Sequence, residues 1–177
     1  MAVFRNPFFR FLFLAVLLYA SWYAVYEFWL KPNSTLDEWV IAALVEHARF
    51  VFGVFGVQLQ AVPADANLDN WIALQESVGV IVGAPCDGMA LFALFSIFIL
   101  AFPGPWKQKL WFIPAGILLV HFVNVIRVIA LVVIVDANPA WLSFNHDYTF
   151  TILVYSFIFG LWYIWVSKFS PLKKASS

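Results

Sequence analysis

Three residues of this sequence have side chains suited to acyl transfer, and each sits at or near the end of an apolar stretch: Cys86, Arg127 and His146. A cysteine thiolate attacks an acyl carbon, an imidazole carries the proton, and a fixed cation stabilises the thiolate or the developing oxyanion. Together they describe cysteine-dependent cleavage or transfer of a peptide. Cys86 is the sole cysteine, which excludes an intramolecular disulfide, a cysteine metal cluster and the paired thiols of a membrane oxidoreductase. It stands in Ala84-Pro85-Cys86-Asp87-Gly88 at the head of an apolar run. There a helix N-terminus lowers a thiol pKa and Gly88 permits close approach, whereas a cysteine in isolation reads as a small apolar residue. The preceding proline and the mid-chain position exclude lipidation.

An arginine within a membrane helix costs at least about 2.5–3.5 kcal/mol at the bilayer centre, so Arg127 is either functional, paired, or snorkelling to headgroups. Asn124, one turn earlier, shares its helix face and can orient it. His146, in Phe144-Asn145-His146-Asp147, either caps a helix or acts as acid and base, with Asn145 or Asp147 to hold its ring. Two rivals rank below it. His121 lies about 9 Å deeper than Arg127 on the same helix, and His47 belongs to a separate outer segment. With no acid cluster beside them, no metal site and no cofactor are expected.

The elements that must position these groups follow from composition. Of 177 residues, 64% are hydrophobic, 20% aromatic and 11% charged, far from the roughly 25% charge of a soluble domain. A soluble monomer is excluded, and no basic patch suits nucleic acid. No repeat or low-complexity linker divides the chain, so residues 1–177 read as a single membrane domain. Charge-free runs mark four transmembrane helices, about 8–30, 87–102, 110–135 and 148–167, the second ended by Pro103-Gly104-Pro105. The first is too long for a signal peptide. The expected fold is an all-α four-helix membrane bundle.

The two tails and the 103–109 connection carry Arg5, Arg10, Lys107, Lys109, Lys168, Lys173 and Lys174 and no acid. All ten acids, Glu27, Asp37, Glu38, Glu46, Asp65, Asp69, Glu76, Asp87, Asp136 and Asp147, then fall toward the other side. By the positive-inside rule both termini are cytoplasmic and residues 31–85 are extracytoplasmic, with Cys86, Arg127 and His146 at the outer face. Within that outer segment Thr35 and Glu38 have capping-box spacing, and Glu38, Glu46 and Arg49 share one side. This predicts a surface helix over about 36–52. Val57–Gln60 and Ile72–Leu74 predict a small β-hairpin, followed by a return to the membrane through 78–85. Gly79 and Gly83 have GxxxG spacing but lie outside a long apolar span.

Cys86-Asp87-Gly88 opening a hydrophobic helix, Asn124-Val125-Ile126-Arg127 in the next, and His146 at the head of the last resemble the Cys, Asn-x-x-Arg and His signatures of the exosortase/archaeosortase family. The resemblance runs from about Ala84 to the end of the fourth helix. Two features depart from it: Asp87 stands where many members have a small polar residue, and four spans are fewer than larger members have. The resemblance implies a cysteine peptidase or transpeptidase with Cys86 as nucleophile, Arg127 as cation and His146 as acid/base. It would cleave C-terminal sorting signals of secreted proteins, each a short motif, a transmembrane helix and a basic tail, at the outer face of the cytoplasmic membrane. An amine acceptor would make the reaction a transfer. Besides those substrates, the expected partners are membrane lipid and, as a further candidate, an accessory membrane protein. The competing reading is a non-catalytic assembly or scaffold subunit, with Arg127 paired to lipid or to Glu27.

Overall fold

The structure, a computed structural model, describes residues 6–62, 70–75 and 77–170. Helix α1 (Pro7–Val25) starts where Asn6 accepts the Phe8 N–H at 2.9 Å and Pro7 supplies a pre-set φ at the first position. It continues through a π-helical turn (Tyr26–Leu30) and Lys31–Asn33, so 27 residues are helical without a break. None of the residues of α1 is buried, and Phe8, Phe13 and Val16 stand exposed, as a lipid-facing helix requires. Helix α2 (Leu36–Val54) begins at the expected residue. The capping box itself does not form: the Thr35 side chain makes no cap bond, and its carbonyl instead accepts the Trp39 N–H at 2.9 Å.

Helix α3 (Met89–Ala101) has 13 residues, about 20 Å at 1.5 Å each against a hydrocarbon core of about 30 Å. It is shorter than the 87–102 span expected from hydropathy, because Ala84–Cys86 forms a separate 3₁₀ turn and the helix opens only at Met89. Its far end is closed by Lys109, whose Nζ donates to the Leu100 and Phe102 carbonyls at 2.8 Å each. A cation on the last free carbonyls opposes the negative end of the helix dipole. Helix α4 (Trp106–Ala137) carries Pro114 inside. Helix α5 (Phe150–Phe169) is led in by short turns over Pro139–Trp141 and Leu142–Phe144 and a π-helical turn at Asn145–Thr149. Among the described residues three stretches are long and apolar enough to cross a membrane, Pro7–Asn33, Trp106–Ala137 and Pro139–Phe169. The chain is a mostly helical membrane protein.

Two compact units divide the chain. One takes the described residues 6–34, 89–120 and 156–170 and packs by aromatic contact: Phe98 stacks on Trp162 with centroids 4.3 Å apart, and Phe112 meets Trp165 at 5.2 Å. Gly116 is needed there, since a Cβ would lie 2.1 Å from the Phe95 ring.

The other unit takes the described residues within 35–88 and 121–155. Its core joins Leu44, Val45, Ala48 and Phe52 of α2 to Val125, Val128, Val132 and Val135 of α4, with Ile72, Val80, Val82 and Cys86 between them. α2 is therefore a core helix of this unit, although Trp39, Phe50 and Val54 remain exposed along it. The hairpin forms with a different pairing from the one expected. β1 (Trp71–Ile72) runs antiparallel to β2 (Val80–Ile81), pairing Trp71 with Ile81 and Ile72 with Val80. The Val57–Gln60 run contributes one bridge, Leu59 to Leu74. Hydropathy alternation marked both partners of that bridge but could not reveal that the 78–85 return holds the second strand. Gly79 sits in the turn before β2 at φ +73°, with no helix to serve a GxxxG contact.

Candidate active site

Cys86 ends the 3₁₀ turn, its N–H donated to the Gly83 carbonyl at 2.8 Å. Gly88, at φ +82°, then reverses the chain into α3, a conformation that L side chains rarely adopt. The thiol thus sits ahead of α3 and not on its N-terminus. Asn124 of α4 fixes this turn from the other side: it is fully buried, and its Nδ2 donates to the Cys86 carbonyl. The expectation that Asn124 orients Arg127 is corrected accordingly; its amide holds the backbone of the nucleophile candidate.

Sixty positions along the chain, His146 brings Nε2 to 3.1 Å from Cys86 Sγ. Its other ring nitrogen, Nδ1, lies 2.9 Å from Asp147 Oδ1. A carboxylate accepts only, so Nδ1 carries the proton and Nε2 presents its lone pair to the thiol. Cys86, His146 and Asp147 form a relay ordered like a cysteine-peptidase triad. Asn145 does not hold the ring, since its amide donates to the Trp141 carbonyl at 2.9 Å. The π-helical turn that sets His146 is itself pinned by Thr151 Oγ1 to the His146 carbonyl at 3.2 Å.

Arg127 is only 7% exposed, and its Nε has no hydrogen-bond partner among the described residues. It does not snorkel to the surface. Nor does Glu27 engage it: that carboxylate pairs with Lys31 at 3.1 Å. Burial pushes the Cys86 thiol above the ordinary cysteine range, more than the Arg127 guanidinium and a Gly83 backbone hydrogen bond pull it down, and Asp87 adds to the rise. This corrects the expected lowering by a helix terminus. The resting thiol is neutral.

The pair opens into a cavity of about 530 Å³ whose walls include Trp71, Gly79, Ile81, Leu131 and Leu142. Both rival histidines lie elsewhere: His121 Nε2 and His47 Nδ1 are 3.1 Å apart and contact each other, not Cys86. Sequence reasoning singled out the Cys, Arg and His and named Asp147 as one of two ring holders. It missed the β2 wall of the cavity, which a short alternating run after a polar loop gives no signal for.

Residues 1–166 match the family model described as Transmembrane exosortase (Exosortase_EpsH). The chain belongs to the transmembrane exosortase family. The match spans nearly the whole chain, well beyond the Ala84-to-α5 stretch that carries the resemblance in sequence. No curated protein and no solved structure matches the chain. Membership in the exosortase family is in keeping with the apolar helices and with a membrane sorting role of the transpeptidase type.

Proposed function

We propose that the chain is a membrane-embedded cysteine peptidase or transpeptidase that cuts a C-terminal sorting signal. The observation that carries this reading is the 3.1 Å approach of His146 Nε2 to Cys86 Sγ, backed by Asp147 at 2.9 Å. In the first step Sγ attacks the scissile carbonyl carbon while Nε2 takes the thiol proton. The C–N bond then breaks, the imidazolium returns the proton to the leaving amine, and a thioester on Cys86 remains. Water or an amine resolves it, its proton passing through His146 back to the thiol.

The N–H groups of Cys86 and Asp87 are already donated within the turn, to Gly83 and Ala84 at 2.8 and 3.3 Å. Oxyanion stabilisation falls to Arg127, whose guanidinium acts on the Cys86 thiol and whose buried Nε has no hydrogen-bond partner among the described residues. Asn124 and Asp147 act as positioning residues. The charge asymmetry puts both tails and the 103–109 connection in the cytoplasm and Cys86, Arg127 and His146 at the outer face of the cytoplasmic membrane, with α3 as a fourth, short membrane-embedded helix. Its substrates are secreted proteins ending in a short motif, an apolar span and a basic tail.

The test compares cells carrying the parent with cells carrying Cys86→Ala or His146→Ala. Uncut precursors of secreted proteins with such C-termini should accumulate in both variants, at unchanged enzyme level. Equal processing in Cys86→Ala would return the chain to a scaffold role.

A further inference from the structure

An antiparallel pair alternates between positions that exchange hydrogen bonds and positions whose backbone groups point away. The Val82 N–H donates to the Asn70 carbonyl at 2.9 Å, which makes Asn70 and Val82 a bonded position and, two residues on, Ile72 and Val80 another. Ile81, opposite Trp71, falls between them, so its N–H and C=O are directed away from β1. The two outer edges of the hairpin are treated differently. On the β1 side, the Trp71 carbonyl accepts Arg49 Nη2 at 3.0 Å and the Ala73 carbonyl accepts the Gln60 N–H at 2.9 Å. On the β2 side, no backbone hydrogen bond of Ile81 appears among the described residues.

An uncovered strand edge is normally blunted or hidden, because it invites another chain to pair. Here it lines the same cavity as Cys86 and His146. The turn leading into it packs on Trp71, whose Nε1 donates to the Val78 carbonyl at 3.3 Å, and a Cβ on Gly79 would come within 2.5 Å of that nitrogen. The side-chain surroundings are apolar, with Val78, Ile81, Leu131 and Leu142 along the wall.

We propose that the acyl-side segment of the substrate binds as an extended strand on the outer edge of β2, one of its residues exchanging both backbone hydrogen bonds with Ile81. The inference rests on the peptidase reading above and adds how the peptide is held. The acyl fragment must stay in register through the thioester stage while an acceptor arrives. Backbone pairing supplies that hold without demanding a particular side chain, and the apolar wall favours aliphatic neighbours.

The experiment uses the full-length protein in nanodiscs and two probes of Cys86: iodoacetamide, which has no peptide backbone to pair, and acetyl-Val-Ala-Val chloromethyl ketone, N-methylated at each amide in turn. In the parent, methylating the amide that meets Ile81 should slow alkylation by the peptide at least about tenfold, as expected for one lost backbone bond and the clash of the methyl group with the strand edge, while methylating its neighbour has little effect. Ile81→Pro removes only the outward N–H, a change edge strands accept. It should slow the peptide probe similarly and leave the iodoacetamide rate unchanged, whereas Ile81→Ala keeps most of the peptide rate. Uniform rates across the methylated peptides overturn the proposal, and that scan decides the matter if Ile81→Pro misfolds. Failure of the peptidase reading looks different: iodoacetamide would then react with Cys86 at the same rate in the parent and in His146→Ala.

Discussion

Replacing Asp147 by asparagine isolates the weakest link of the relay. The Asp147 side chain is 60% exposed and that of His146 30%, so their 2.9 Å contact lies at the accessible surface. Even a fully charged pair at such exposure is worth only about 0–1 kcal/mol, which bounds this contact from above. The asparagine oxygen can still accept the Nδ1 proton, so the tautomer that points the Nε2 lone pair at Cys86 survives. The expected loss in the Cys86 alkylation rate at neutral pH is therefore at most about fivefold. A buried triad aspartate, by contrast, is worth about 10⁴ when amidated. His146→Ala, which removes the base itself, should lose about 10²-fold or more. Because Cys86 is the only cysteine, mass spectrometry of carboxamidomethylated protein reads this one site directly. A loss in Asp147→Asn comparable to that of His146→Ala would refute the reasoning, since it would require a working state in which Asp147 is buried.

Arg127 and Asp87 act on the Cys86 thiol in opposite directions. Arg127→Gln removes a cation that favours thiolate, so the alkylation–pH profile should move to higher pH, whereas Asp87→Asn should move it lower; titration of the alkylation rate checks both signs. Arg127→Lys keeps the charge but loses the planar fork, so it should keep the profile nearly in place while losing most substrate processing, at protein levels verified by immunoblot. His47→Ala and His121→Ala should keep processing near the parent rate, because those rings contact each other and not the thiol; loss in His121→Ala with retention in His146→Ala would reverse the assignment of the base. A membrane-impermeant maleimide should label Cys86 from outside intact cells, and labelling only after the cytoplasmic face is opened would overturn the orientation.

The membrane class was legible without any fold, because lipid-facing helices such as α1 need no partner to justify their apolar residues. The candidate chemistry was legible as well: a lone cysteine, an arginine amid apolar residues and a histidine at a helix head are each costly or reactive enough to stand out. Local signals were less reliable wherever a neighbour could outbid them. Thr35 and Glu38 have capping spacing, yet the cap does not form. Asn124 has the spacing to serve Arg127, yet it bonds a carbonyl thirty-eight positions away. Only the tertiary structure decided that Cys86 meets His146, that Lys109 closes α3, and that β2 and not Val57–Gln60 pairs with β1. The first of these joins segments sixty positions apart, and all three depend on packing that hydropathy does not encode. Hydropathy records whether a residue prefers water or oil, and it carries no record of which oil-loving neighbour the residue will meet. The thiol follows the same rule. Its position before a helix argued for a lowered pKa, but burial in that shared core raises it, and burial is a property of the packed fold.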